Sequence, residues 1–146
     1  MEFIVKTFSE LTTEELYAIL QLRSEVFVVE QDCVYQDIDS KDQKAIHVFS
    51  YKEDQLITYT RIFKPGDYFK NASIGRVVVK ENQWSFKYGY DLMKASIQVI
   101  KEKLATNTIE ISAQTYLLKF YTSLGFIKEG EEYLEDGIPH TRMIKK

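Results

Sequence analysis

The sequence predicts a mixed α/β domain built on one sheet. Three observations carry that prediction. Runs rich in Val, Ile, Phe and Tyr alternate with helical apolar stripes in the order β, α, β, β, β, α, β, α, β, β. The run at 74–79 (IGRVVV) is apolar and β-branched enough for a buried central strand. Asp136-Gly137 lies between two further strand-like runs and reads as a hairpin turn.

The elements follow in order. Residues 3–8 (FIVKTF) form a first strand. Thr12 with Glu15 is a capping box, in which hydroxyl and carboxylate each satisfy an orphan backbone N–H. Leu16, Ile19, Leu20 and Phe27 recur at helical spacing, so a helix is expected to about Val28. The polar, acidic stretch 31–44 reads as a loop. Residues 45–52 and 55–63 are two strands joined through Glu53-Asp54. Residues 64–73, with Pro65-Gly66, form a second loop. After strand 74–79, residues 89–104 place Leu92, Met93, Ser96, Ile97, Ile100 and Leu104 on one helical face. Ile109, Ile111 and Ala113 alternate as a short strand. Residues 116–124 form a helix ended by Gly125. From Phe126 onward two strands meet at Asp136-Gly137. No repeat or linker interrupts this order, and residues 1–146 read as one domain.

Composition narrows the functional classes. A chain of 146 residues can bury a core without staples. The net charge of -3 gives no electrostatic reason to bind nucleic acid or an acidic membrane, and it tolerates a cationic partner. The single Cys33 cannot form an internal disulfide, and MEFIVKTFSE has no long apolar run, so a cytoplasmic protein is expected. No window approaches the ~18 apolar residues of a membrane span. G-x-S-x-G and G-x-G-x-x-G are both absent, against hydrolase and dehydrogenase readings. Asp37, Asp39 and Asp42 fail the EF-hand pattern, since Asp42 stands at its sixth position and Val48 at its twelfth. They read instead as loop caps or an acidic rim that attracts an amine. Two distant histidines and one cysteine make no zinc site, and no metal is expected.

Two segments carry chemistry. IGRVVVKENQWSFKYGYDLMKA runs a strand into a helix N-terminus, where free N–H groups and the helix dipole attract phosphate. AQTYLLKFYTSLGF ends a strand and opens a helix bearing Tyr121. With LYAILQLRSEVFVVEQDCVYQDID before them and LEDGIPHTRM after, these blocks resemble the GCN5-related N-acetyltransferases (GNAT), and most closely their ElaA-like branch. The resemblance spans nearly the whole chain.

The resemblance implies a mixed, mostly antiparallel central sheet flanked by helices, an α+β fold. The fourth and fifth strands would splay apart to admit acetyl-CoA as co-substrate. Val77, Val78 and Val79 would hold the acetyl and pantetheine units through the backbone. Trp84, Ser85, Lys87, Tyr88 and Gly89 would cradle the pyrophosphate, with Tyr90 beside them. Gln114 would lie near the cofactor, and Tyr121 would protonate the departing thiolate. The acceptor would be a primary amine of a small molecule or peptide. Glu30, ending VFVVEQ, would lie beside the substrate cleft as a base or a solvated acid. His47 and His140 match positions the branch fills with His, and each is a base or a hydrogen-bonded structural residue. The cluster Trp84, Phe86, Tyr88 and Tyr90 stacks on adenine, walls the cleft, staples the helix start or makes a homodimer contact; the sequence leaves these open.

Chemistry supports the assignment on its own terms. Acetylating an amine from a thioester needs a deprotonated amine, a donor for the carbonyl oxygen, an acid for the sulfur and an anchored carrier. A phenol of pKa about 10 suits protonation of an alkyl thiolate. One departure stands out. The family's pyrophosphate motif is Q/R-x-x-G-x-G/A, and here only Gly89 fits. Trp84 replaces the arginine or glutamine, and Lys87 replaces the middle glycine. A Cβ at that position crowds the phosphate, whereas the Lys87 ammonium adds attraction. The whole chain has only 6 Gly and 2 Pro, against about 10 and about 7 in an average chain of this length. A second reading therefore stands beside the enzyme: a binding or regulatory module of the same fold with weak or no transfer.

Overall fold

The computed structural model describes residues 1–80 and 86–146, with Phe86 described through its backbone alone. Its strands are β1 (Ile4–Thr7), β2 (Ile46–Lys52), β3 (Gln55–Phe63), β4 (Ala72–Val79), β5 (Ile109–Gln114), β6 (Ile127–Lys128), β7 (Tyr133–Glu135) and β8 (Ile138–Lys145). Its helices are α1 (Thr13–Arg23), α2 (Phe86–Lys103) and α3 (Leu118–Ser123). The strands form one sheet in the order β1-β2-β3-β4-β5-β8-β6, and β7 also pairs with β8. Every pairing is antiparallel except β4 with β5.

Local chemistry sets these elements. The Thr12 hydroxyl accepts from the Glu15 N–H at 3.0 Å, and the Glu15 carboxylate accepts from the Thr12 N–H at 2.8 Å, which completes the expected capping box. Both hairpin turns hold two consecutive residues at positive φ: Glu53 and Asp54 at 51° and 62°, Asp136 and Gly137 at 53° and 77°. That is the type I′ conformation, whose twist matches the flanking strands. Gly125 follows α3 at φ 97°, as its position predicts.

Several boundaries differ from expectation, four of them by more than the fraying of an end. Helix α1 does not continue as α-helix to Val28; Ser24–Glu30 form a wider π-helical coil. Helix α2 starts at Phe86, three residues before Gly89, which brings Lys87 and Tyr88 into its first turn. The C-terminal region holds three strands rather than two, because the charged stretch around Gly130 (φ 80°) breaks β6 from β7. Strand β4 begins at Ala72, two residues early.

Two cores sandwich the sheet. Met93 and Ile100 of α2, Phe120 of α3 and Phe126 just before β6 pack onto Val48, Ile62, Ile74 and Ile111. On the other face Ile19, Leu22 and Phe27 pack onto Phe49, Tyr59 and Val78. Ser96, fully buried on α2, is satisfied by Thr60 Oγ1 at 2.7 Å and by the Leu92 carbonyl at 2.8 Å.

The feature that positions the site is the β4–β5 junction. The two parallel strands pair only at Ala72–Ile109 and Ser73–Glu110. Strand β4 continues to Val79 and β5 to Gln114 without further pairing, so the sheet opens as a V. A bulge lies at the opening: Tyr59 faces Val78 but Arg61 faces Gly75, leaving one extra residue on β4. Arg76 takes up the slack at φ 49°, in the left-handed region. No helix among the described residues is long and apolar enough to cross a membrane.

Candidate active site

The V is a cleft of about 690 Å³, counting space open to solvent. Its walls come from Phe27 and Gln31, from β4 at 74–77, from Ser112 and Gln114 of β5, from Tyr121, and from Glu135 and His140 of the β7–β8 hairpin. The sequence blocks that carried the resemblance therefore meet at one place.

Tyr121 enters from α3. It is 5% exposed and packs edge-on against Phe120 and Phe126 at 5.1 and 6.1 Å. Burial pushes its phenol above the ordinary range, with a smaller push from Tyr116, so it stays protonated at neutral pH. Among the described residues its hydroxyl has no hydrogen-bond partner.

His140 stands on the hairpin wall. Its Nδ1–H donates to the Ile138 carbonyl at 2.7 Å, since a carbonyl can only accept. Nε2 is left with its lone pair, 3.5 Å from Glu135 Oε2. Ser112 donates to the other oxygen of Glu135 at 3.1 Å and also bonds the Tyr133 hydroxyl. This arrangement fixes the imidazole tautomer and sets a carboxylate where an imidazolium would form. Glu135 and Ser112 escaped the sequence reading. The Asp136-Gly137 turn announced the hairpin, but nothing in it marked the preceding acid as facing a cleft.

The remaining sequence candidates fall at several kinds of place. Val77 and Gln114 line the cleft, and the Gln114 amide oxygen accepts from Gln31 Nε2 at 3.5 Å across its mouth. Val78 and Val79 are buried and pair with Tyr59 and Thr58. The Lys80 N–H donates to the Ile57 carbonyl, so strand alternation turns the Val79 N–H to the unpaired edge. Lys87, Tyr88, Gly89 and Tyr90 lie at the start of α2, with Lys87 and Tyr90 exposed. Trp84, Ser85 and the Phe86 side chain lie outside the described residues. Glu30 is exposed at the end of the π-helical coil and is not among the residues lining the cleft. His47 also lies outside the lining; it is fully buried, with Nδ1 2.6 Å from the Tyr59 hydroxyl and Nε2 3.0 Å from the Asp42 carbonyl. Burial lowers its pKa and keeps it neutral.

Asp37, Asp39 and Asp42 form no acidic rim. Each is paired with arginine beneath the cleft. Arg23, fully buried, donates to Asp37 at 2.9 Å, to Asp42 at 2.7 Å and to the Asp37 carbonyl at 3.0 Å. Arg61 forks onto Asp39 at 2.9 and 2.6 Å and reaches Asp42 at 3.0 Å. Arg76, turned inward by the bulge, meets Asp37 at 2.7 Å. Three cations and three anions thus tie α1, the 31–44 loop, β3 and β4 together. Such a network is held by geometry and hydrogen bonding, since desolvation offsets much of its Coulomb attraction. Among the described residues there is no cluster of three metal-ligating side chains.

The network sets an acid limit. Burial raises the Asp39 pKa, but the Arg61 hydrogen bonds and charge override it and hold the carboxyl at about 2, against an ordinary 3.8. Asp42 is likewise held down by Arg23 and Arg61 against its burial. A carboxyl depressed in the folded state binds protons better when unfolded, so its stabilisation is complete above about pH 3.8 and is lost toward about 2. His47, also depressed, starts to oppose folding below its ordinary 6.5. Urea midpoints are expected to fall gently below about pH 6.5 and steeply between about 3.8 and 2. A midpoint flat across the lower window would contradict the network.

A sheet that opens between two parallel strands over a cleft is the architecture of the acyl-CoA N-acyltransferases. Residues 7–146 match the acetyltransferase (GNAT) domain, and the chain belongs to that family. It is 43% identical over 140 residues to the protein ElaA of Escherichia coli, covering 94% of this chain and 92% of that one. The crystal structure of Escherichia coli ElaA superposes with a TM-score of 0.92 at 41% identity over 99% of each chain. An acyl-CoA N-acyltransferase from Pseudomonas aeruginosa superposes at 0.93, with 36% identity over the full length of both.

Proposed function

We propose that this chain transfers the acetyl group of acetyl-CoA to a primary amine of a small molecule or peptide by direct attack. One observation supports this above the others: the β4 edge that β5 leaves unpaired, the Tyr121 hydroxyl, which has no hydrogen-bond partner among the described residues, and the His140 Nε2 all border one cleft. The cleft fits the group, because an extended thioester arm would find strand N–H donors where β5 has left β4. Val77 and Val79 would donate to the arm and Val78 would keep the strand in register. The start of α2, with Lys87, Tyr88, Gly89 and Tyr90, would face the phosphates with N–H groups and one ammonium. Trp84 and Ser85 would precede them, and Gln114 would border the arm.

Acetyl-CoA supplies the acyl group through its thioester. The chain's residues manage the protons. His140 Nε2, through water, takes a proton from the attacking amine, and Glu135 stabilises the imidazolium. A C–N bond forms as the C–S bond breaks, and Tyr121 delivers its phenolic proton to the sulfur. Burial that weakens the phenol as an acid also strengthens a thiolate as a base in the same dry cleft, so the transfer stays feasible. His140 fits the base role better than Glu30, which lies outside the lining, or His47, whose nitrogens are both engaged.

Isothermal titration with acetyl-CoA tests the reading. Saturable binding below millimolar cofactor, with CoA thiol released when a broad panel of amines is added, is the expected result. No binding at millimolar cofactor sinks the enzyme and leaves the binding-module reading, which the Trp84 to Lys87 departure motivates.

A further inference from the structure

Two charged side chains border both the reaction cleft and a second cavity that continues from it, of about 370 Å³ with its open part. Arg76 stands on the β4 wall and Glu135 on the hairpin wall. They are opposite in sign, and among the described residues no ion pair joins them. Each is held by its own wall instead. Arg76 donates through Nε to the Asp37 carboxylate at 2.7 Å and through Nη2 to the Asp37 carbonyl at 3.2 Å, and Nη2 lies 3.5 Å from Asp39. Its Nη1 donates to nothing among the described residues. Glu135 is held by Ser112 at 3.1 Å and stands 3.5 Å from His140 Nε2. A fixed cation and a fixed anion on two walls of one cleft are the complement of a ligand that carries both charges.

The β4 wall is built to present that arginine. A left-handed backbone at φ 49° is kept only where the surroundings require it, and the bulge that holds Arg76 there turns its side chain into the V. The guanidinium lies over the Tyr35 ring, 5.7 Å from its centre, which steadies its plane. The Nε–Nη2 edge serves Asp37, so the Nη1 end remains as a charged donor for a carboxylate, on a side chain still 17% exposed. Beside it Gly75 leaves room. A Cβ there would meet no atom within 4 Å, and its backbone is not left-handed, so neither packing nor conformation within the chain calls for glycine. The opening lies on the shared wall of the two cavities. Charge balance selects the ligand further. Arg23, Arg61 and Arg76 are matched by Asp37, Asp39 and Asp42. A lone anion finds no spare charge there, whereas an ammonium and a carboxylate arriving together add none.

We propose that the acceptor is a free amino acid, with its carboxylate on Arg76 Nη1 and its ammonium beside Glu135 and His140. The two walls together hold the amine where His140 can take its proton through water. Simple amines and peptide N-termini lack the carboxylate and forgo one wall. The site rests on the acetyl-transfer reading only for what becomes of the bound amine.

Calorimetry, with and without CoA, measures binding of a panel of the common L-amino acids. The tightest binder is then compared with its own amide, which stands for a peptide N-terminus, and with the amine left by its decarboxylation. At least one amino acid is expected to saturate the native chain, ahead of its amide and amine by about ten- to a hundredfold, the worth of one charge-assisted contact. That order runs against the net charge of -3, which on its own favours the cationic amide and amine. Arg76→Lys keeps a charge for Asp37 but removes the free Nη1, and should bring the amino acid down to the level of its amide while leaving the amide unchanged. Gly75→Val lies outside the ion network and should abolish amino-acid binding with Tm near native. No saturable binding at millimolar amino acid, equal binding of the amide or the amine, or a preference that survives in folded Arg76→Lys overturns the proposal. Amino-acid binding that survives Gly75→Val overturns it too, and decides alone if Arg76→Lys fails to fold. An amino acid bound with preference but never acetylated upholds the site and counts against acetyl transfer; acetylation of amines without that preference does the reverse.

Discussion

Tyr121→Phe is expected to lower kcat by about 10²–10⁴-fold, the usual worth of a positioned general acid. Acetyl-CoA affinity and Tm should stay close to native. The substitution is unusually clean, because the hydroxyl makes no hydrogen bond among the described residues and the ring keeps its contacts with Phe120 and Phe126. Loss of rate therefore cannot be traced to a broken internal bond. Steady-state release of CoA thiol, with any accepted amine, measures it. A leaving group with an intrinsically acidic thiol should recover part of the lost rate, since it needs no proton. An unchanged kcat would remove Tyr121 from the mechanism.

Arg23→Met should be the most destabilising single change outside the hydrophobic core. It leaves Asp37 and Asp42 buried with one cation fewer between them. Breaking a buried ion pair costs about 3–5 kcal/mol, which lowers Tm by on the order of 10 °C in a domain of this size. Arg23→Lys should recover little, because one ammonium cannot match a fork that serves two carboxylates and a carbonyl. Thermal unfolding followed by circular dichroism decides the matter. A loss below about 1 kcal/mol would mean that the remaining arginines compensate fully.

Much of the frame was legible because it rests on local rules. The Thr12 box, both two-residue turns and Gly125 each answer to backbone chemistry within a few residues. The arginines were not legible, because a charged residue in a sequence reads as surface until its partner is known. One signal did exist: Arg23 falls in register with Leu16, Ile19, Leu20 and Phe27 on the inward stripe of its helix. An arginine there demands buried acids, and three aspartates stand 14 to 19 residues on. The π-helical coil had no comparable marker, since its pattern suits an α-helix equally well. Tyr121 was found through its motif alone. Among ten tyrosines, periodicity would have left it in the core, where its ring does in fact pack.

The two-residue seam between β4 and β5 has a consequence for how the chain assembles. The β2–β3 and β7–β8 hairpins close between neighbours in sequence, at little loop entropy. Ala72 and Ile109 must find each other across 37 positions that include all of α2. With so few ladder bonds to reward that closure, the seam is expected to be the last part of the sheet to form and the first to part. The mouth that admits a ligand is thus also the weakest line in the molecule, so anything bound across it would act as a clasp holding the two halves of the sheet together.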